Sequence, residues 1–359
     1  MPRGAPRPDG GAGDVRGAHP APQGRRARGA GGPPAIQLLQ RHKADARQGG
    51  GGVISLRRID HVSLRVRDVE EAARRWALQF GLAVREKDGR RARLACDDEP
   101  FSLELLAAEG PGVEHVAYEL RRSCTLDDAR RHFEDLGVPY EEHAGGLRVA
   151  DPEGNRVLVL PYREPRERWV SHARAATDQV VGHPRKLGHV NFLTGALAEG
   201  VGFYTRVLGM RITDRLGDGG VWFHISSDHH VMALVDKGYP HFHHLAFDVV
   251  DIGQMRAALD HLGRHGRWLG WGPVRHGIGG NIASYVRIVE EECFVELYCD
   301  MEQLEPDHEA RRWPDNRFSS NTWGPLPPRS YFRFDEAAVA SERESLEMLG
   351  HPLPEEVSS

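Results

Sequence analysis

The sequence has few cysteines for its length. Among its 359 residues there are only four, Cys96, Cys124, Cys293 and Cys299. Domains that depend on disulfides for stability carry many more cysteines per residue. The composition therefore excludes a disulfide scaffold.

The sequence also lacks long apolar runs and an excess of positive charge. No stretch approaches the roughly 18 apolar residues that a transmembrane helix needs. The formal net charge is −5, which argues against nucleic acid or an anionic membrane as a partner. No apolar stretch follows the pair Arg25 and Arg26, so an export signal is unsupported and we expect a cytoplasmic protein.

Residues 1–56 contain little that could form a core. Glycine and proline are frequent throughout this segment, and lysine and arginine clearly outnumber aspartate. Segments of this composition cannot bury enough apolar surface to fold. We therefore predict a disordered extension, in preference to a targeting or nucleic-acid-binding arm.

The residue type present in excess is histidine, with 20 copies, and four of these open similar segments. The offset in the chain from His61 to His189 is nearly the same as the offset from His115 to His244. Each segment begins as an alternating strand, continues as a helix and ends in short strand-like runs. The helices are predicted to end at glycines, namely Gly81, Gly137, Gly209 and Gly263.

This repeat predicts an α+β protein with two tandem domains. We expect a domain over residues 57–165 and another over 185–304, each built from two βαβββ modules that curl into an open barrel around a cavity. Residues 166–184 are predicted to be a linker. Residues 305–359 are predicted to be an extended segment, rich in proline and aromatic residues, that packs over a domain.

The two halves differ at one informative position. Leu158 stands on the closing strand of the first half, whereas Glu296 stands at the matching place in the second. An acid within an apolar strand is costly unless it is paired or bound to a cation. His189, His244 and Glu296 lie at similar points on separate strands, and curling of the modules would bring them together. Two imidazoles and one carboxylate are the ligand set of non-haem Fe(II) oxygenases, so we predict a metal site.

Several neighbouring residues have competing interpretations. Glu290, Glu291 and Glu292 are rival ligands, although a solvated charged turn is the favoured interpretation. Cys293 and Cys299 fall on the opposite strand face from Glu296 and are expected to be ordinary buried cysteines. In the first half, His61 and His115 have no evident acid partner, so a domain without metal is predicted there. In the second half, one of His229 and His230 must point inward.

The sequence resembles a known family in six short stretches. These are Gly188-His189-Val190, His230-Val231-Met232-Ala233-Leu234, His244-Leu245-Ala246-Phe247, Arg275-His276-Gly277, Tyr285 and Val295-Glu296-Leu297. In these stretches the chain resembles the type I extradiol ring-cleaving dioxygenases of the vicinal oxygen chelate superfamily, over roughly residues 57–304. It departs from the family at Ile288–Cys293, where an Asp-Pro-x-Gly-Asn turn is usual. The first half keeps that turn at Asp151–Asn155.

The resemblance implies a function and roles for named residues. His189, His244 and Glu296 would hold Fe(II), or Mn(II) in some members, and the partners would be a catechol-type substrate and O2. His230 would shuttle a proton beside the O2 site, and His276 and Tyr285 would hydrogen-bond the substrate oxygens. The ring would be cleaved next to its two hydroxyls. Relatives form oligomers, so a homo-oligomer is expected.

Some alternatives remain open. His229 competes with His230, and His230 is preferred because the family motif places an alanine three residues after its histidine. A glyoxalase-like isomerase or thiol transferase shares the fold and often uses a second glutamate in place of a histidine. A non-enzymatic small-molecule binding protein would need no metal ligands. Trp268 and Trp271 are expected to line the entrance of the site, together with the proline-rich tail.

Overall fold

The computed structural model describes residues 54–96, 99–164, 183–334, 337 and 340. Nearly all of the predicted disordered extension, most of the predicted linker and the end of the C-terminal segment lie outside these residues. Within the described part of the chain, no helix has the length and apolarity that crossing a membrane requires.

The first half forms one sheet with two helices. Its strands are β1 (Leu56–Val66), β2 (Ala83–Lys87), β3 (Arg91–Ala95), β4 (Leu103–Ala107), β5 (Gly112–Leu120), β6 (Glu141–His143), β7 (Gly146–Ala150) and β8 (Arg156–Leu160), and its helices are α1 (Val69–Phe80) and α2 (Leu126–Asp135). The eight strands lie in the order β2-β3-β4-β1-β5-β8-β7-β6.

The second half repeats this arrangement with one added strand. Its strands are β9 (Lys186–Thr194), β10 (Arg211–Leu216), β11 (Gly220–His224), β12 (Met232–Asp236), β13 (His241–Asp248), β14 (Leu269–Arg275), β15 (Ile282–Ile288), β16 (Cys293–Cys299) and β17 (Arg311–Trp313); its helices are α3 (Leu197–Gly202), continued by a π-helix over Phe203–Val207, α4 (Ile252–Arg264), α5 (Arg317–Ser320) and a 3₁₀-helix over Arg329–Phe332. The strand order is β14-β15-β16-β13-β9-β12-β11-β10-β17.

Strand pairing confirms the predicted βαβββ modules. In each module the first strand pairs in parallel with the fourth, as β1 does with β4 and β13 with β16. The first strands of neighbouring modules pair antiparallel at the centre of each sheet, β1 with β5 and β9 with β13. Equivalent positions of different modules therefore face one another across the middle of the sheet.

The signals at the helix ends explain most of the helix boundaries. Asp68 accepts hydrogen bonds from the backbone amides of Glu70 and Glu71 at the start of α1, and Gly81 ends it with φ 68°. The predicted end at Gly263 was wrong. Helix α4 continues through that glycine to Arg264, and Gly266 adopts the left-handed conformation instead.

The two halves share one apolar core. Its largest cluster contains residues of both sheets and their helices, including Trp76 and Phe133 of the first half and Phe223 and Phe247 of the second. Burial of continuous apolar surface is the main favourable term in folding. The halves are thus held together by more than the chain that connects them.

A buried ion pair also links the halves. The Arg75 guanidinium on α1 donates to both carboxylate oxygens of Glu291, at 2.9 and 2.6 Å. Glu291 belongs to the turn between β15 and β16, and its side chain is 1% exposed. The favoured interpretation of this turn as solvated was therefore wrong for Glu291. Nor is Glu290 a metal ligand, because it accepts hydrogen bonds from Arg267 at 3.0 and 2.7 Å.

We predict that Arg75→Met destabilises the protein by about 3–5 kcal/mol, because it leaves the buried carboxylate of Glu291 without its partner. The free energy of unfolding from urea denaturation measures the loss. A second substitution, Glu291→Leu, should recover much of it.

Arg256→Met is the matched control. Arg256 and Asp260 form an exposed pair one helical turn apart, so this change should cost less than about 0.5 kcal/mol. Equal losses for Arg75→Met and Arg256→Met would contradict a stabilising role of the buried pair.

Candidate metal centre and active site

The three predicted metal ligands meet inside the second half. His189 on β9, His244 on β13 and Glu296 on β16 offer donor atoms that all lie within 4.8 Å of one another. His189 Nε2 is 2.9 Å and His244 Nε2 is 3.1 Å from Glu296 Oε2. All three residues are buried. The structure thus brings together the donor set that was predicted from the repeat.

The strand register explains why these residues converge. Glu296 lies opposite Ala246 in the β13–β16 pair, two residues beyond His244 on the same strand face. Ala246 in turn lies opposite His189 in the β9–β13 pair. Ala246 therefore lies between Glu296 on β16 and His189 on β9, and His244 is two residues before it on β13.

The charge of Glu296 is maintained by its neighbours. Burial raises the pKa of this carboxyl, but His189 and His244 more than offset that effect, so the pKa lies well below its usual value. The side-chain amide of Asn281 donates to Glu296 Oε1 at 3.0 Å. An ionised carboxylate and two imidazoles in an apolar interior fit a divalent metal such as Fe(II) or Mn(II).

The adjacent residue His243 sets the tautomer of His244. His243 Nε2 lies 2.9 Å from the carbonyl oxygen of Tyr331, to which it must donate. Its Nδ1 then accepts the hydrogen bond from His244 Nδ1, 2.8 Å away. This leaves the lone pair of His244 on Nε2, the nitrogen that faces Glu296. A second partner of this kind commonly orients a metal-binding histidine.

The second pair of adjacent histidines has the same design. His229 Nε2 donates to Asp214 Oδ2 at 3.0 Å, and the Nδ1 atoms of His229 and His230 are 3.0 Å apart. With a neutral His229 ring, whose single proton is on Nε2, His230 donates from Nδ1 and keeps its lone pair on Nε2. The His230 ring packs 4.2 Å from that of His189. Of the two candidates, His230 lines the cavity and His229 forms the link to Asp214.

Asp214 is firmly ionised. Burial raises its pKa, but hydrogen bonds from His229, Arg311 and the Trp313 indole lower it to about 2. Its carboxylate accepts from Arg311 at 2.9 Å and from Trp313 at 2.8 Å. Since Asp214 carries a full negative charge, His229 Nε2 must be the donor in the hydrogen bond that joins them.

His276 and Tyr285 form a hydrogen-bonded pair on the other side of the centre. His276 Nδ1 donates to the carbonyl oxygen of Ser320 at 2.8 Å, so its Nε2 accepts from the Tyr285 hydroxyl, also at 2.8 Å. Tyr285 lies directly opposite Glu296 in the β15–β16 pair and stacks on Trp271 at an angle of 13°. Burial and Glu296 raise the pKa of Tyr285 well above its usual value, so the hydroxyl stays protonated.

These groups surround one cavity of about 290 Å³. All six residues predicted for the site line it, namely His189, His230, His244, His276, Tyr285 and Glu296. Its wall is completed by Trp271 of β14 and by Pro327, Tyr331 and Phe332 of the C-terminal segment. The expectation for Trp268 was wrong, because its side chain is 65% exposed and lies outside the lining residues.

Sequence reasoning missed three residues that shape the site. Asn281 contacts Glu296, Asp214 orients His229 and His243 orients His244. Tyr331, which closes the wall, belongs to the C-terminal segment that was expected there. For His243 a signal existed, since it repeats the His-His pattern of residues 229 and 230. Asp214 has no such signal, because it belongs to β10 and meets His229 only in the folded sheet.

In the first half, the prediction that His61 and His115 have no acid partner was wrong. Glu104 on β4 offers a donor atom within 4.8 Å of both histidines. Leu158, the residue that matches Glu296, lies opposite Ala117 as expected. The acid of this group is instead Glu104 of the first module, whereas Leu158 belongs to the second module of that half.

Comparisons with known proteins agree with the fold. Residues 186–288 match the sequence model of the Glyoxalase/Bleomycin resistance protein/Dioxygenase superfamily. Metapyrocatechase 2 of Cupriavidus necator is 28% identical, and the match covers 83% of this chain and 100% of that protein.

Two solved structures show the same fold. A variant of homoprotocatechuate 2,3-dioxygenase from B. fuscum matches with a TM-score of 0.70 and 20% identity, over 80% of this chain and 83% of that one. The Mn(II)-bound glyoxalase from Novosphingobium aromaticivorans matches with a TM-score of 0.66 and 24% identity, over 77% of this chain and 94% of that one. The resemblance to extradiol dioxygenases of the vicinal oxygen chelate type is confirmed.

Proposed function

We propose that this protein is an extradiol dioxygenase that uses Fe(II) and O2 to cleave a catechol-type ring next to its two hydroxyls. The observation that carries the proposal is the shared cavity. It places two histidine Nε2 atoms and one carboxylate beside three further groups, His230, His276 and Tyr285, that can exchange or hold protons. The likeness to a metapyrocatechase along the whole of that relative supports the same activity.

His189, His244 and Glu296 are the residues that would hold the metal. A divalent ion bound there would act as a Lewis acid toward the substrate hydroxyls and would bring O2 next to them. The two neutral imidazoles and one carboxylate leave other coordination positions for these reactants. Mn(II) suits the same donors.

His230 is suited to accept a proton inside the cavity. Burial lowers its pKa well below the usual value, so the ring is neutral, and with a neutral His229 its lone pair is on Nε2. A positioned base of this kind contributes about 10²–10⁴-fold to a rate. When His230 gains a proton, the ionised Asp214 two rings away offsets the new charge.

His276 and Tyr285 are suited to hold the substrate oxygens. The Tyr285 hydroxyl donates to His276 and keeps a lone pair with which it can accept a hydrogen bond from a substrate hydroxyl. Trp271, stacked on Tyr285, prevents the phenol ring from turning. The apolar wall formed by Trp271, Tyr331 and Phe332 provides a surface for a flat ring.

A glyoxalase-like reaction is the second candidate, favoured by the structural likeness to a Mn(II)-bound glyoxalase. The ligand set separates the two, because glyoxalase-like enzymes often use a second glutamate where this chain has a histidine. We also keep the cytoplasmic location and the homo-oligomer as predictions. Size-exclusion chromatography with light scattering measures the latter.

The direct test is oxygen consumption by the anaerobically purified, Fe(II)-loaded protein with a panel of substituted catechols. We expect one O2 consumed per ring and a yellow semialdehyde product. The same preparation should leave a hemithioacetal unchanged. Isomerisation of the hemithioacetal without oxygen uptake on any catechol would favour the second candidate.

We predict that Glu296→Ala lowers the metal content by about one equivalent per chain, because the carboxylate is the only charged ligand of the three. Metal analysis after anaerobic loading with Fe(II) measures it. Glu290→Ala, which changes a rival ligand bound to Arg267, should keep the wild-type content. Equal iron contents of the Glu296→Ala variant and wild type would contradict the assignment.

We predict that His230→Gln keeps the metal but lowers kcat by about 10²–10⁴-fold, because the proton acceptor is removed. Asp214→Asn, which weakens the support of His229, should lower kcat by about 10–100-fold with little change in KM. Steady-state kinetics at saturating O2, with metal analysis of each variant, measures both effects.

The matched control for Asp214 is Glu302→Gln. The Glu302 carboxylate contacts the same Arg311 guanidinium, at 2.8 and 2.7 Å, but lies 3.9 Å from His229 Nε2. The kcat of the Glu302→Gln variant should stay close to wild type. If the Asp214 and Glu302 variants lost activity equally, the effect would belong to the Arg311 cluster and the role given to His229 would be wrong.

A further inference from the structure

A second group of two histidines and one carboxylate lies buried in the first half. His61 on β1, His115 on β5 and Glu104 on β4 have donor atoms within 4.8 Å of one another. Their exposed fractions are 3%, 1% and 6%. Buried polar groups of this kind are costly unless they are paired with one another or with a cation.

Glu104 follows the same register rule as Glu296. Glu296 lies opposite a residue two positions beyond His244, and Glu104 lies opposite Ser63, two positions beyond His61. The equivalent places in the two remaining modules hold apolar residues, Leu158 and Ala233. Each half therefore carries one acid at the ligand position. In the first half the acid belongs to the first module, and in the second half it belongs to the second module.

The histidine orientations in the two halves also correspond. His61 Nε2 and His115 Nε2 face each other at 3.1 Å, as the Nε2 atoms of the second half converge on their carboxylate. The Nδ1 of His61 donates to the residue before it, Asp60 Oδ1, at 2.7 Å. In the second half it is His244 whose Nδ1 bonds the residue before it.

The second histidine of each half matches as well. Among the residues that the structure describes, His115 Nδ1 and His189 Nδ1 are buried without a hydrogen-bond partner. The acid-bearing module thus contributes the oriented histidine in both halves, and the other module contributes the histidine with a free Nδ1. The two halves therefore match in the residue types of the group, in their strand register and in the contacts of the histidine Nδ1 atoms. They differ in which of their two modules carries the acid.

The surroundings of Glu104 differ from those of Glu296 and indicate a closed site. Glu104 accepts from Ser63 Oγ at 2.9 Å and from Arg93 Nε at 3.0 Å. The Phe101 ring packs 4.5 Å from that of His61, and the Arg93 guanidinium lies over the Phe101 ring, 4.4 Å from its centre. Enclosed metal sites hold structure, whereas catalytic ones keep a position open to solvent or substrate.

We propose that the first half binds a second divalent transition metal ion, of the Zn(II) class, through His61, His115 and Glu104. The ion ties together β1, β4 and β5 at the centre of the first sheet and does not take part in catalysis. Asp60 acts as the outer partner of His61, and is itself held by Arg58 at 3.1 Å and Arg163 at 2.9 Å.

Metal counting on the whole chain tests the proposal. Metal-free protein is loaded with Zn(II), freed of excess metal by gel filtration and analysed by mass spectrometry. We expect about two equivalents per chain for wild type, about one for Glu296→Ala, about one for Glu104→Gln and none for the double variant. Glu86→Gln is the matched control, because Glu86 also contacts Arg93, at 3.2 Å, without facing the histidines. It should keep both equivalents.

A second readout does not depend on the count. Zn(II) should raise the Tm of the Glu296→Ala variant, because a ligand that binds only the folded state stabilises it. It should not raise the Tm of the Glu104→Gln/Glu296→Ala double variant, whose folding is checked by circular dichroism. One equivalent in wild type that disappears with Glu296→Ala and is unaffected by Glu104→Gln would overturn the proposal. Neither readout requires turnover, so the outcome is independent of the ring-cleaving function.

Discussion

The contact on which the site depends is a single buried carboxylate shared by two imidazoles. Glu296 lies on a central strand with both histidine Nε2 atoms within hydrogen-bond distance of one oxygen. Moving an ionised carboxylate from water into an apolar interior costs a large free energy. The charged form of Glu296 is therefore stable only beside positively charged or hydrogen-bonding partners. That requirement supports the proposed cation site inside the sheet, where neighbouring strands supply the other donors.

Two pairs of adjacent histidines determine how the imidazoles present their nitrogens. His243 and His244 are consecutive on β13, where side chains alternate between faces, whereas His229 and His230 precede β12. Within each pair the two Nδ1 atoms nevertheless come within hydrogen-bond distance. The outer member is anchored by a carbonyl in one pair and by a carboxylate in the other. A neutral outer ring thereby specifies which nitrogen of the inner ring carries a proton. The inner rings are the ligand His244 and the cavity histidine His230.

Much of the fold and of the ligand set could be predicted from the repeat, because repeat spacing and strand alternation are local properties of the chain. The same reasoning identified His189, His244 and Glu296, and the resemblance pointed to His230, His276 and Tyr285. Asp214 and Asn281 were not predicted, since their roles arise from strands that meet only in the folded sheet. Glu104 was missed because the acid was sought only on the closing strand of the first half. Gly263 misled because a glycine inside a helix is tolerated when the flanking turns are packed.

The link between Arg75 and Glu291 has a consequence for the autonomy of the second half. A fragment starting near residue 183 would contain every ligand of its centre, yet it would lack the guanidinium that neutralises the turn leading into the ligand-bearing strand. It would also uncover the apolar surface that α1 shields. Although the chain is a duplication, its second half therefore takes a buried charge partner and part of its apolar burial from the first half.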